Sequence, residues 1–436
     1  MLTSSTLTEQ LAVLGVQLPA WPEEPQGPES GGDWIQRGLN YAEGIRLWRA
    51  QLRNASVSTK GVVEQLISHL QEQGQLGVWD QLVYAAIKPE VQKTKDFERW
   101  QACTKLIRSS ALTAAQLLGA SLEMMREQRL TAGTYGLRRL LKEQDDLKPE
   151  HCLTLCSELV AAANTSNIWK DASSGSIGWA TAVNLHQHWS SLLADAMGLV
   201  VLNQQDATDP LGVDRSNLLD HLDCINQCLG SKGAHGHAEF IRICKERLPE
   251  LLGSWGGEKP WVVEVGCSRE IIEGQNSTAQ LLALAKEMGL PFAGIDLDQD
   301  NIAALKRDYG GLGTQWIAGK GEDELASWQH PIAACYLDAY DFWHASHSDL
   351  RQESYLKNYG AQINDQECHQ MHFQAAQHAT RIMPIGGVLG LDDTWLENDQ
   401  WAGKGMLALP WLLEHGWQLL SQANRGTVMV KVGADL

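Results

Sequence analysis

From Lys259 onward, apolar runs of four to six residues alternate with stretches of helical spacing, and this constrains the fold of the chain more than any other feature. Trp261 to Val265 reads as a buried strand, followed by a helix over Thr278 to Met288 and a second strand over Pro291 to Ile295 that ends at Asp296. Asn301 to Tyr309 is helical, Thr314 to Ile317 and Ala333 to Leu337 are strands, and Cys368 to Ile382 is a helix. Gly387 to Leu391 is a fifth strand, Gly403 to His415 is helical, and Thr427 to Val432 closes as a strand. Short apolar runs between helices imply an α/β fold with a doubly wound, mainly parallel sheet.

Two of these strands end abruptly in carboxylate, as Tyr336-Leu337-Asp338 and Gly390-Leu391-Asp392-Asp393. Ligands of open α/β sheets sit beyond the carboxyl ends of the strands. Two neighbouring strands would therefore aim Asp338, Asp392 and Asp393 at one spot. Like charges that close repel unless a proton or cation intervenes, and a hard divalent ion such as magnesium is the economical expectation. A single such acid would be read as a helix cap.

The first strand runs into a tight turn, Glu264-Val265-Gly266-Cys267-Ser268-Arg269. It has neither the Gly-x-Gly-x-x-Gly of a dinucleotide site nor the Gly-Lys-Ser/Thr of a P-loop. Its glycine still lets backbone N–H groups approach a ligand closely. Asp296, at the end of the second strand, is placed as acids that bind ribose hydroxyls are in doubly wound folds. Together these features point to an adenosine-containing cofactor beside a metal.

Glu264-x-Gly266, Gly294-Ile295-Asp296 and Tyr336-Leu337-Asp338 resemble the class I S-adenosylmethionine-dependent methyltransferases. The set Asp338 plus Asp392-Asp393 is similar to the metal-dependent O-methyltransferases of the catechol and macrocin types. The resemblance covers about residues 255–436 and implies a Rossmann-like fold, S-adenosylmethionine as cofactor and Mg2+ held by Asp338, Asp392 and Asp393. It further implies that Glu264, Gly266, Ser268 and Asp338 lie along the cofactor, that Asp296 takes the ribose hydroxyls, and that Glu322 or Asp323 lies near the adenine. Two departures stand out. The turn lacks the second glycine, with an extension over Arg269 to Thr278 in which Gly274 and Asn276-Ser277-Thr278 could supply the cradling helix N-terminus. Catechol-type enzymes also place a lysine three residues past the first metal acid, where this chain has Asp341. Asp341, His344 and His347 are then the candidate bases for the acceptor hydroxyl. A metal-bound hydroxyl ionises more readily, and two adjacent hydroxyls chelate well, so the expected acceptor is a sugar, catechol or other small vicinal diol.

Six of the fourteen histidines fall between His330 and His378. Asp365, His369 and His372 share one face of a predicted helix, as a second, softer metal site or as substrate contacts. Trp395, Trp401 and Lys404 follow the Asp pair and are weaker substrate candidates, as are Arg351 and Lys357. Two competing readings are a His/Asp metalloenzyme without methyl transfer, and an inactive methyltransferase-like scaffold whose helices bind a partner.

Before this region, residues 1–254 read as an all-helical domain for substrate or partner recognition or for homodimerisation. Apolar residues recur at helical spacing over Trp34 to Leu52, Val62 to Leu70, Trp100 to Ile107, Leu112 to Met125 and Trp179 to Leu202, after a proline-rich loop over Pro19 to Gly32. His186/His188 reads as incidental, and His235/His237 falls in a predicted loop where a metal or substrate role is secondary to a structural one. The net charge of −18 argues against nucleic acid or an anionic membrane as partner. No stretch approaches a bilayer span and the N-terminus lacks a signal-peptide pattern. Nine scattered cysteines, with Cys152/Cys156 and Cys224/Cys228 four apart, fit a reducing compartment. The expectation is a cytoplasmic protein with a small-molecule substrate.

Overall fold

The computed structural model describes residues 6–16, 21–22, 31–91, 96–127, 129–144, 147, 235–269, 276–342, 352, 355–357, 360 and 362–433, with isolated positions between 151 and 222. The chain divides into two compact units, Met1–Lys232 and a second made of Gly233–Arg269 and Gly274–Leu436. None of the described helices is long and apolar enough to cross a membrane.

Among its described residues the first unit holds helices and no strand: α1 (Thr6–Val13), α2 (Gly31–Asn54), α3 (Val57–Glu72), α4 (Val78–Val91), α5 (Asp96–Ile107), α6 (Ala114–Arg126) and α7 (Leu130–Glu143). A Thr113/Gln116 capping box starts α6, satisfying two N–H groups the first turn would otherwise leave open. The core gathers Trp48, Ile67, Leu82, Leu118 and Met125, each fully or almost fully buried. Trp21 stacks on Trp48 at 4.9 Å beside Tyr41 and Trp79. Arg49 pairs with Glu123 at 3.1 Å and with Glu127. The predicted segments near Trp34, Val62, Trp100 and Leu112 coincide with helices, whereas Trp179 to Leu202, His186, His188 and the cysteine pairs lie outside the described residues.

The second unit begins with α8 (Gly236–Gly253). There follow β1 (Trp261–Val265), α9 (Ser277–Glu287), β2 (Phe292–Asp296), α10 (Gln299–Tyr309), β3 (Thr314–Ala318), α11 (Gly321–Ser327) and β4 (Ile332–Leu337). Next come α12 (Asp365–Ile382), β5 (Val388–Leu391), β6 (Thr394–Glu397), β7 (Gln400–Gly403), α13 (Ala408–Glu414), β8 (Trp417–Ala423) and β9 (Gly426–Lys431). Seven strands form one sheet in the order β3-β2-β1-β4-β5-β9-β8, and β6 and β7 form a separate ribbon. β1 to β5 are mutually parallel; β9 runs antiparallel to both β5 and β8.

Period-two alternation sorts the strand residues into two layers. On one face Val262, Ala334, Tyr336, Val388 and Val428 pack with Phe240, Ile243, Cys244 and Leu248 of α8 and Leu281 and Leu284 of α9. On the other, Val263, Cys335, Leu337, Leu389 and Met429 pack with Cys368, Met371 and Ala375 of α12 and Leu409 and Leu412 of α13. The helix α8 thus belongs to the sheet, and the division comes earlier than the change of pattern near residue 255. Helical periodicity shows that a face is apolar but not which unit covers it. The sequence pattern does not mark β8, an edge strand whose burial follows no alternation, nor β6 and β7, which are only four residues each.

Candidate active site

The order reverses between β1 and β4, which opens a crevice at the carboxyl ends of the central strands. Register brings the ends level: Val265 pairs with Ile295 and with Leu337, and Leu337 with Leu391. One step further the ladder continues as Gly266 N–H to Ile295 O at 2.8 Å, Asp338 N–H to Val265 O at 2.7 Å and Asp392 N–H to Leu337 O at 3.0 Å. Gly266, Asp296, Asp338 and Asp392 therefore stand along one edge.

The β1 and β2 side of this edge carries an open pocket lined by Gly266, Arg269, Asp296, Lys320, Gly321, Ala339, Tyr340 and Tyr355 among others. Gly266 has φ +90°, and a Cβ there would overlap the backbone of Asp338 and Ala339. Only glycine closes this turn. Cys267 N–H donates to Asp296 Oδ2 at 3.1 Å, Asn301 Nδ2 to the same oxygen at 3.0 Å, and Asp298 N–H to Oδ1 at 2.8 Å. A carboxylate has about four acceptor positions, so Asp296 keeps one on Oδ1 for a ligand. Burial raises its pKa, with Arg269 acting against that rise.

Glu264 sits beneath the turn, fully buried, and its Oε1 accepts from Ser277 Oγ at 2.5 Å. Burial pushes its carboxyl up to about 8. Ser268 N–H donates to Thr278 Oγ1 at 2.7 Å and Thr278 N–H returns to Ser268 Oγ at 3.2 Å. Asn276 caps α9 by accepting from Ala279 N–H at 3.1 Å. Glu264 and Ser268 thus brace the turn onto α9, and the pocket lining does not include them. Gly274 lies outside the described residues. Glu322 is half-buried and accepts from Tyr340 Oη at 3.3 Å, while Asp323 is exposed.

The β4 and β5 side is built differently from the expected magnesium centre. Lys404 Nζ, almost fully buried, lies 2.6 Å from Asp338 Oδ1 and 3.7 Å from Asp393 Oδ2. Burial works against its charge, but Asp338, Asp393 and Asp392 outweigh burial and hold it above the ordinary lysine range. Arg425 NH2 is 3.6 Å from Asp393 Oδ1. Asp392 accepts a 2.6 Å bond from Tyr336 Oη, and burial, then Asp338 and Asp393, raise its pKa. Among the described residues no three His, Cys, Asp or Glu side chains are arranged to hold a metal ion. Mg2+ does not fit Asp338, Asp392 and Asp393 as they stand, because a lysine ammonium already pairs with Asp338 and Asp393, two of the three acids that would bind it.

The proton-accepting candidates also redistribute. Asp341 is buried beside Arg269 at 3.7 Å, and His344 and His347 lie outside the described residues. His372 is buried, with Nδ1 2.9 Å from Cys368 O; burial, then Lys404, press its pKa down to about 3. His369 packs against Phe342 at 5.7 Å, so the two histidines do not converge on one ion. Lys357 pairs with the exposed Asp300 at 2.9 Å; Arg351 is outside the described residues. Trp395 stands under Arg425, 4.7 Å from ring centre to guanidinium, and 6.3 Å from Phe342. Trp401 is half-buried opposite Leu396 in the β6–β7 ribbon.

His235 stands at the start of α8 and not within a loop. It precedes Gly236, where a Cβ would overlap Asp392 Oδ1 and come within 3.2 Å of Tyr336 Oη. The first turn of α8 therefore abuts the acid cluster. The His235 ring makes no capping bond and lies parallel to His237 at 6.0 Å. Burial lowers its pKa, while Asp338 and Asp393 pull the other way. His237 is buried, 3.1 Å from Gln280 Nε2, and pushed down to about 4 by burial and then by His235. The only sequence signal was the His-x-His spacing, which did not reveal that residue 235 begins a helix packed on β4 and β5.

No family model matches the chain, and no curated protein matches it. Among solved structures it is similar to Streptomyces venezuelae DesVI, at 13% identity over 43% of this chain and 58% of that one, with a TM-score of 0.22. It is also similar to the calicheamicin methyltransferase CalS11, at 11% identity over 55% and 92%, TM-score 0.28. A third likeness is to a Listeria monocytogenes protein provisionally assigned to the class I S-adenosylmethionine-dependent methyltransferases, at 12% identity over 59% and 86%, TM-score 0.27. This chain spans 58% of the length of DesVI. At TM-scores this low the likeness carries no argument about chemistry.

Proposed function

We propose that the second unit is an S-adenosylmethionine-dependent methyltransferase acting on an oxygen of a small hydroxylated acceptor. The observation that carries this reading is the register of the sheet, which sets Gly266, Asp296 and Asp338 side by side at the switch point and opens a pocket between the first two. S-adenosylmethionine, when bound, supplies an electrophilic methyl carbon. The chain's own residues do the rest by positioning and charge. Gly266 gives the ligand close backbone approach, and Asp296 Oδ1 accepts a ribose hydroxyl. On the β4–β5 side the acceptor hydroxyl meets Lys404 beside Asp338, with Phe342 and Trp395 as an aromatic wall. His235, next to the Gly236 that abuts Asp392, would take the hydroxyl proton in preference to Asp341, which Arg269 engages. Magnesium has no part in this reading because Lys404 holds its position.

Calorimetric titration of S-adenosylhomocysteine into wild type and Asp296→Ala tests it, with a melting transition on each to verify folding. Binding to wild type that Asp296→Ala loses is the expected result. No binding to a folded wild type overturns the reading and leaves the inactive scaffold.

A further inference from the structure

We propose that the Lys404 ammonium is the resident cation of the strand-end acid cluster, standing where a divalent ion would stand and offering its N–H to the acceptor oxygen. Its place is fixed from two directions. Nζ lies 2.6 Å from Asp338 Oδ1, 3.4 Å from Asp338 O and 3.7 Å from Asp393 Oδ2. The backbone delivers it there: the β6–β7 ribbon starts one residue after Asp393 and ends one residue before Lys404.

That ribbon is closed onto the acids themselves. Lys404 N–H donates to Asp393 O at 2.9 Å. Thr394 Oγ1 donates to Asp392 O at 2.8 Å and accepts from Gly405 N–H at 2.9 Å. Gly403, at φ +82° with no room for a Cβ against Asp393 O, makes the final bend. The acids and the lysine therefore form one rigid unit. With Arg425 on the outer side of Asp393, a divalent ion would have to expel a buried ammonium from its partners, and breaking such a pair leaves an uncompensated charge.

The substitution narrows the acceptor. A divalent ion favours a chelating diol, whereas an ammonium is a point charge with three donors. Asp338 Oδ1 holds one donor tightly; the longer contacts to Asp338 O and Asp393 are those an incoming oxyanion displaces. A single hydroxyl suffices. That Lys404 faces an acceptor rests on the methyltransferase reading; that it fills the acid cluster does not.

The test uses the full chain, freed of metal with EDTA, titrated with Mn2+ by electron paramagnetic resonance and with S-adenosylhomocysteine by calorimetry. Wild type is expected to bind no Mn2+ and to bind the nucleoside equally with and without EDTA. Lys404→Ala is expected to gain an Mn2+ site that Lys404→Ala/Asp393→Asn loses; Lys404→Gln serves if the alanine protein does not fold. Stoichiometric Mn2+ on wild type, lost in Asp338→Asn, overturns the proposal, as does a folded Lys404 variant that gains none. A wild type that binds no S-adenosylhomocysteine removes the methyltransferase reading, and the Mn2+ results still decide the place of Lys404.

Discussion

Gly266 turns the chain at φ +90° against the backbone of Asp338 and Ala339. Gly266→Ala must bear left-handed strain, which costs about 1–3 kcal/mol, and must also push β1 and β4 apart. It should lower the melting temperature and abolish S-adenosylhomocysteine binding, read by differential scanning and isothermal calorimetry. Two residues earlier, Glu264 makes a pH-dependent contribution. Burial raises its carboxyl from 4.5 to about 8, so between those values the folded state holds a proton that the unfolded state releases. The associated stability is present below the unfolded value and is lost as pH rises toward 8. Glu264→Gln keeps an acceptor for Ser277 and should flatten the decline in denaturation midpoint between pH 5 and 8. An unchanged slope would show Glu264 already ionised in the fold.

At the scale of elements, the last turn of α12 is finished by another strand's side chain. Lys431 of β9 donates from Nζ to Thr380 O at 2.6 Å and Met383 O at 3.2 Å. Trp417 Nε1 of β8 reaches Thr380 Oγ1 at 2.9 Å. A cation at a helix C-terminus satisfies carbonyls that have no intrahelical partner. Lys431→Met leaves them buried and bare, so chemical unfolding should show a loss of about 1–3 kcal/mol with S-adenosylhomocysteine binding retained. α8 is the second element whose role depends on its packing. Through Phe240 and Leu248 it packs on β4, β5 and β9, and its first turn sets Gly236 against Asp392 and Tyr336.

At the scale of the whole molecule, α8 decides where the second unit begins. Phe240, Ile243, Cys244 and Leu248 are all buried against the sheet, and the three larger of them contribute about 1.5–3 kcal/mol each. A fragment of residues 255–436 lacks that layer, a loss comparable to the 5–15 kcal/mol that stabilises a typical domain. Residues 233–436 should give a cooperative melting transition and bind S-adenosylhomocysteine, while 255–436 should not fold. Two fragments of equal stability would remove α8 from the unit.

The sequence by itself determined the five parallel strands, α9, α10 and α12 among the helices between them, and the acids that end β2, β4 and β5; the short α11 after β3 carried no such signal. Buried strands must be apolar, and the residue that follows at the sheet's edge is free to be charged. Local spacing also disclosed the helical character of the first unit. It did not disclose that β9 pairs between β5 and β8, that α8 joins the sheet, or that Lys404 meets Asp338 and Asp393. Those facts depend on residues 66 positions apart, as for Lys404 and Asp338, brought together by strand register and a hairpin. Three clustered carboxylates require a positive partner, and that much the sequence stated. Whether the partner is an ion or an ammonium is settled by which side chain the fold delivers, and only the tertiary structure fixes that.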